Sequence, residues 1–251
     1  MVQREGTVEA VVSSPAEAPN ILVFGATGSI GQEICAGLRQ RGFSVTGSGR
    51  KPLPSDVEID RWVQTDPLSP TYAQERLIAA GPYNGVCWAQ GANLNDSVYS
   101  VDIEKHLELY NINCVFVVRT LQSLLSLGLL VSGARLCVVS SIWQSIARQH
   151  KLSYCMTKAA LQGLVLSASV DLARDGHTIN AVLPGALDTP MTHANLGAGQ
   201  VEKIAAATYF GRLATTQDVV QAVSYLCHPA SAGVTGQFIA IDNGFSHVRI
   251  A

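Results

Sequence analysis

A chain of 251 residues, 47% hydrophobic and only 14% charged, has material for one sizeable core. A formal charge of -2 offers no basic surface for nucleic acid or an anionic membrane. The six cysteines show no CxxC spacing and most sit in apolar runs, which predicts reduced core thiols in a cytoplasmic protein. The six histidines lack metal-ligand spacing, so no metal site is expected, and the apolar stretch Leu124 to Val131 is too short to span a bilayer.

Residues 1–19 read as a mobile tail ending at Pro19, without the long apolar segment of a signal peptide, and residues 20–251 as a single domain. From Asn20 onward short apolar runs alternate with helical patterns. Strands are predicted at Ile21 to Phe24, Phe43 to Gly47, Arg61 to Thr65, Gly85 to Ala89, Arg135 to Ser140, His177 to Leu183 and Gln237 to Asp242. Helices are predicted near 30–41, 70–80, 102–127, 154–174 and 216–227. Buried strands alternating with helices predict an α/β fold, a single doubly wound parallel sheet of Rossmann type covered on both faces. In such sheets ligands bind beyond the carboxyl ends of the strands, where the strand order switches.

The first strand runs into Gly25, Ala26, Thr27, Gly28, Ser29, Ile30 and Gly31. Glycines allow a tight turn and a close approach to a pyrophosphate, and the helix that starts there adds its positive end. Gly25, Thr27, Gly28, Ser29, Ile30 and Gly31 are therefore candidate dinucleotide-binding positions. After the second strand comes Gly47-Ser48-Gly49-Arg50-Lys51, with no acid before Asp56 to select a free ribose hydroxyl. Arg50, aided by Ser48, suits the extra phosphate of NADP(H), which is expected over NAD(H), although NAD(H) stays open. Asp66, after the third strand, serves either an adenine amino group or the cap of the following helix.

Tyr154 and Lys158 lie four residues apart, hence on one helical face. An ammonium beside a phenol favours phenolate, which lets the phenol exchange a proton with an alcohol or carbonyl oxygen near neutral pH. Ser141, thirteen residues earlier and just past the fifth strand, is placed to hold the substrate oxygen, and Asn111 to hold a water linking Lys158 to solvent. Trp143, Gln144, His150 and Met191 are candidate substrate-pocket residues; a solvated loop position is the bland alternative for His150.

With these pieces in order, residues 20 to 247 resemble the short-chain dehydrogenase/reductase family. The resemblance rests on the glycine turn, Asn111-Ile112-Asn113-Cys114-Val115-Phe116, Ser140-Ser141, Tyr154-x-x-x-Lys158, Pro184-Gly185-x-x-x-Thr189-Pro190 and Gly236 to Gly244. It implies a catalytic tetrad of Asn111, Ser141, Tyr154 and Lys158. It also implies a nicotinamide pocket shaped by Pro184, Gly185, Leu187 and Thr189, cofactor contacts at Ala89 and Gly91, and a homo-oligomer, tetramer or dimer, built on the two long helices. The implied activity is interconversion of a carbonyl and a secondary alcohol on a small organic substrate. A 3-oxoacyl-carrier-protein reductase and a non-catalytic dinucleotide sensor are the alternatives. Phe24 stands where the family has Thr, Ser29 replaces the middle Gly, and Trp88-Ala89-Gln90-Gly91 replaces Asn-Asn-Ala-Gly. Altered packing is expected there.

Overall fold

The computed structural model describes residues 18–55, 57–72, 74–189, 192–193 and 198–247; residues 1–17, Asp56, Pro190 and Met191 lie outside them. Seven strands form one parallel sheet in the order β3-β2-β1-β4-β5-β6-β7. They are β1 (Asn20–Phe24), β2 (Ser44–Gly49), β3 (Arg61–Gln64), β4 (Tyr83–Trp88), β5 (Leu130–Val139), β6 (Thr178–Pro184) and β7 (Phe238–Ile241). The order reverses between β1 and β4, which sets the ligand crevice between the chain segments leaving those two strands.

The helices are α1 (Ser29–Gln40), α2 (Glu75–Ala80), α3 (Ile103–Tyr110), α4 (Phe116–Ser126), α5 (Leu152–Asp171), α6 (Ala198–Ala206) and α7 (Thr216–Leu226). Strand alternation sends Ile21 and Val23 of β1 to one face of the sheet, where they meet Ile34 and Leu38 of α1 and Val219 and Val223 of α7. Leu22 and Phe24 go to the other face, against Val117, Leu121 and Leu124 of α4 and Leu161 and Val165 of α5. Two apolar cores thus flank one sheet, as the doubly wound reading requires.

The predicted helix over 70–80 is shorter than expected, since only Glu75–Ala80 is helical. The predicted helix over 102–127 is broken by a π-turn, Asn111–Val115, between α3 and α4. The helix Ala198–Ala206 was not foreseen.

The expected repacking around Trp88 takes a definite form. Trp88 is fully buried, stacks on Phe24 with ring centres 6.1 Å apart, and donates its indole N–H to Thr120 Oγ1 at 2.8 Å. Phe24 in turn meets Phe116 edge-on at 5.4 Å. The two departures from the family pattern therefore compensate each other, with an aromatic stack across β1 and β4 at the positions the family fills with polar side chains.

The glycine turn owes its form to close packing. At Gly25, φ is +75°, and a Cβ there would lie 2.5 Å from the backbone nitrogen of Gln90. A Cβ on Gly31 would collide with the carbonyl oxygen of Gly25. Gly28 differs: its φ is -76°, and a Cβ would meet Gly25 O at an ordinary 3.4 Å.

Candidate active site

At the carboxyl end of β1 the chain turns through Gly25 and starts α1 at Ser29, with Gly28 as its cap residue. Gly25 and Ala26 donate their N–H groups to Ser48 O at 3.1 and 3.3 Å, which binds the turn to β2. Thr27, Gly28 and Ser29 are exposed. The first-turn N–H groups of Ser29, Ile30 and Gly31 have no acceptor within the helix, and no acid occupies that turn to neutralise its positive end. This rim offers donors to an anion.

Ser48 does not share in that rim. It is 2% exposed within β2, so its contribution is the carbonyl that anchors the turn, and the expected hydroxyl contact to a phosphate is corrected accordingly. Arg50 is exposed just past β2. With Gln64, Asp66, Ser69, Thr71 and Arg76 it lines a cavity of about 230 Å³. Asp66 accepts from Leu68 N at 3.1 Å, so it does cap the turn that follows β3.

After β4, Ala89 N bonds Phe24 O at 3.0 Å, and Gly91 lies exposed at the crevice. A Cβ on Gly91 would lie 3.4 Å from Asn113 Oδ1 and 3.8 Å from Lys158 Nζ, so both groups converge on that point. Asn113, 1% exposed, accepts from Ala92 N at 2.8 Å and donates to Ala92 O at 3.1 Å and Thr157 Oγ1 at 2.9 Å. Asn111, expected here, is exposed, and its carbonyl accepts from Phe116 N. The π-turn changes the rotation of the chain between α3 and α4, and Asn113 rather than Asn111 stands beside Lys158.

Tyr154 and Lys158 both come from the first two turns of α5. Lys158 Nζ lies 5.6 Å from the centre of the Tyr154 ring. It is 4% exposed and donates to Val139 O at 3.3 Å; no carboxylate pairs with it among the described residues. Burial holds its pKa down at about 8. Burial also pushes the Tyr154 phenol up, while a hydrogen bond with Ser141 pulls it partly back.

Ser141, 5% exposed, caps the short 3₁₀ turn Ile142–Gln144, where its Oγ accepts from Trp143 N at 3.3 Å and donates to Pro184 O at 3.4 Å. Its neighbour Ser140 is equally buried, but its hydroxyl has no partner among the described residues. The Gln144 side-chain amide also finds none, although the residue is only 6% exposed. Trp143 is half-buried with its ring edge-on to Phe245 at 6.2 Å, and His150 sits on the exposed loop with φ +59°. Met191 lies outside the described residues.

The start of α5 is clamped from the segment after β4. Asp96, 5% exposed, accepts from Ser153 N at 3.0 Å and from the Ser153 hydroxyl. His106 Nδ1 meets the same hydroxyl at 2.8 Å. Because Ser153 spends its proton on Asp96, His106 serves as the donor. Asp96 N and O also bond His150 O and Leu152 N, at 3.2 and 3.3 Å. Sequence reasoning missed Asp96, His106, Ser153 and Lys151; apart from its nearness to Tyr154, no motif marks this clamp.

Beyond β6, Gly185 N bonds Ile241 O at 2.9 Å, and a Cβ there would lie 2.8 Å from Asp242 Cβ. Leu187 is buried and bridges to Ala214, while Thr189 Oγ1 accepts from Thr192 N at 3.2 Å. The segment adjoins Ser141, whose hydroxyl donates to Pro184 O. Five of the six cysteines are buried, and all six are free thiols. Among the described residues no cluster of His, Cys, Asp and Glu could hold a metal, and no helix is long and apolar enough to cross a membrane.

A parallel sheet with a glycine turn at its switch point, and with Tyr, Lys, Ser and Asn converging beside it, defines a dinucleotide-dependent oxidoreductase. The family model for enoyl-(acyl carrier protein) reductase, a branch of the short-chain dehydrogenases, matches residues 82–246, and the chain belongs to the short-chain dehydrogenase/reductase family. It is 25% identical over 233 residues to a 3-oxoacyl-[acyl-carrier-protein] reductase of Escherichia coli (strain K12), covering 89% of this chain and 95% of that one. Over 110 residues, 44% of each chain, it is 37% identical to a cis-4-hydroxycyclohexanecarboxylate dehydrogenase of Sinomonas cyclohexanicum. The fold matches an actinorhodin polyketide ketoreductase with a TM-score of 0.81 at 23% identity, over 92% of this chain and 98% of that one.

Replacing Lys158 by Met removes an ammonium that the folded, cofactor-free protein buries without a counter-ion. The folded pKa of about 8 lies below the unfolded value of 10.5, so the unfolded chain binds this proton more tightly. The charged lysine therefore destabilises the fold fully below pH 8, and the penalty fades as pH rises toward the unfolded pKa. Lys158→Met should be the more stable protein at pH 7, by at most about 3 kcal/mol, with the gap closing above pH 10. Urea unfolding across pH 6–10 measures it, and a variant less stable at pH 7 would contradict the unpaired-charge account.

Proposed function

We propose that the protein is an NADP(H)-dependent reductase that interconverts a carbonyl and a secondary alcohol on a small organic substrate. The observation that carries this reading is the convergence of Tyr154, Lys158, Ser141 and Asn113 beside the crevice at the β1/β4 switch point. The cofactor fits the residues present. Donors of α1 are free for a pyrophosphate, and the Lys158 ammonium has donors left over from its one hydrogen bond to serve ribose hydroxyls. When bound, the nicotinamide supplies or accepts a hydride.

The chain's own residues do the rest. Ser141 holds the substrate oxygen, and Tyr154 gives that oxygen its proton in reduction and takes it back in oxidation. Lys158 favours the phenolate by its charge, and Asn113, standing where Asn111 was expected, steadies the wall beside Lys158 through its bonds to Ala92 and Thr157. The unsatisfied Gln144 amide is a further group for the substrate to engage. A second reading, a 3-oxoacyl-carrier-protein reductase, draws on the name of the Escherichia coli relative. The stretch 121–134, without any Lys or Arg, is poorly suited to an acidic carrier.

Tyr154→Phe should lower kcat on any accepted ketone to a small residue while leaving the fold and the cofactor dissociation constant nearly unchanged, since only the hydroxyl is lost. Substantial turnover by this variant removes Tyr154 from the chemistry.

Arg50 beside the 230 Å³ cavity supports the preference for NADP(H), as do the ligands named for the actinorhodin ketoreductase structure and for an NADP-bound relative in fold, ElxO. A charge-assisted bond of about 1.5–3 kcal/mol corresponds to about a ten- to hundredfold preference. That preference should collapse in Arg50→Ala, measured as kcat/KM for both cofactors. A wild type that favours NAD(H) overturns the assignment.

The exposed apolar side chains of Ile103 and Leu107 on α3, Val118 on α4, and Leu166 and Val170 on α5 support self-association through these helices. Sedimentation at micromolar concentration should show a dimer or tetramer; a species of 26.6 kDa alone would count against it.

A further inference from the structure

Lys151, the cap residue of α5, is a second lysine at the Tyr154 ring. Its Nζ lies 5.6 Å from the ring centre, the same distance as Lys158, and the residue is 8% exposed. It donates to Asn93 Oδ1 at 2.7 Å. An ammonium has three donors, and Asn93 satisfies one. Among the described residues no carboxylate lies within ion-pair distance of it. Asp96 attracts it at longer range, but spends both carboxylate oxygens on the Ser153 amide and hydroxyl. Burial first, and then the Arg148 charge, push the Lys151 pKa down, so a second cation adds to the positive field at this mouth.

A largely buried cation without a counter-ion is costly unless a ligand brings the opposite charge. The Tyr154 ring attracts it through its face but accepts no hydrogen bond of ordinary strength. Asn93, with its Oδ1 committed to Lys151, keeps an amide nitrogen as a further donor, and its side chain lies on the exposed segment after Gly91. The Lys151 ammonium and the Asn93 amide thus stand together beside the Tyr154 ring, and Gly91, two residues before Asn93, borders Lys158.

We propose that Lys151 and Asn93 form an anion subsite beside Tyr154, and that the substrate is a small carbonyl compound, or the matching alcohol, that carries a carboxylate. This rests on the reductase reading above, with Tyr154 at the carbonyl oxygen and Lys151 at the carboxylate. The short reach from ring to ammonium favours a compact oxo acid over a long chain.

The test is steady-state reduction of small oxo acids and of their primary amides, which keep the shape and lose the charge. The wild type should prefer each acid to its amide. In Lys151→Met that ratio of kcat/KM should fall by about ten- to a hundredfold, mostly through KM. Lys151→Arg, which keeps the charge, should retain part of the preference. Calorimetric binding of the same acids to the enzyme with oxidised cofactor should weaken in parallel. Equal losses for acids and amides in Lys151→Met, or a wild type that reduces amides and ignores acids, would falsify the anion subsite and leave the reductase reading standing. Failure to reduce any carbonyl, charged or neutral, sinks the reductase reading and the subsite with it.

Discussion

The geometry of the candidate site depends on where α5 begins. That helix carries Tyr154 and Lys158 within its first two turns, so a small change in its starting residue would rotate both away from the crevice. A helix N-terminus cannot satisfy its own first N–H groups, and α5 has no side-chain cap of its own. The missing acceptor comes from another part of the chain: Asp96 takes the Ser153 amide and hydroxyl, and its backbone bonds His150 and Leu152. The segment after β4 therefore fixes the register of the helix that begins after β5. Because that same segment contains Gly91 and Asn93, the crevice wall after β4 and the helix that carries Tyr154 are a single mechanical unit.

The second constraint is the tight fit between the glycine turn and the end of β4. The Gly25 backbone approaches Gln90 so closely that no side chain fits between them, and just before these residues Phe24 and Trp88 stack across the same two strands. An apolar stack holds β1 to β4 with the Thr120 hydroxyl satisfying its only polar atom. Polar satisfaction has moved from the strand pair to a helix on one face of the sheet. The switch point keeps its shape with different chemistry underneath.

Much of this was legible in the sequence because it follows from short-range periodicity. Each of the seven strands overlaps its predicted place, although β5 begins at Leu130, five residues before the predicted Arg135, and the spacing of Tyr154 and Lys158 reads directly as one helical face. The assignment of Asn111 failed for a reason that the same periodicity cannot see. A π-turn inserts an extra residue into the helical ladder, so side chains before and after it do not keep a common phase. Asn111 and Asn113 both look suitable in sequence, and only the packing of Asn113 against Ala92 and Thr157 separates them. The Asp96 clamp was illegible because its members, Asp96, His106 and Ser153, are held together by tertiary contacts across up to 57 positions. The helix Ala198–Ala206 was missed because its glycine and alanines give little apolar contrast.

The three glycines of the turn are unequal in what they tolerate. Gly25 and Gly31 are locked by backbone contact, whereas Gly28 has an ordinary φ and room for a methyl group. Drift at Gly28 therefore meets little steric resistance, while drift at the other two would dislodge the turn from the sheet. A pattern that weighs all three glycines alike credits this chain with a spacing its fold does not require. Within the protein's own packing the contact of Gly31 with Gly25 fixes the turn, and the openness around Gly28 leaves that stretch of backbone accessible from solvent.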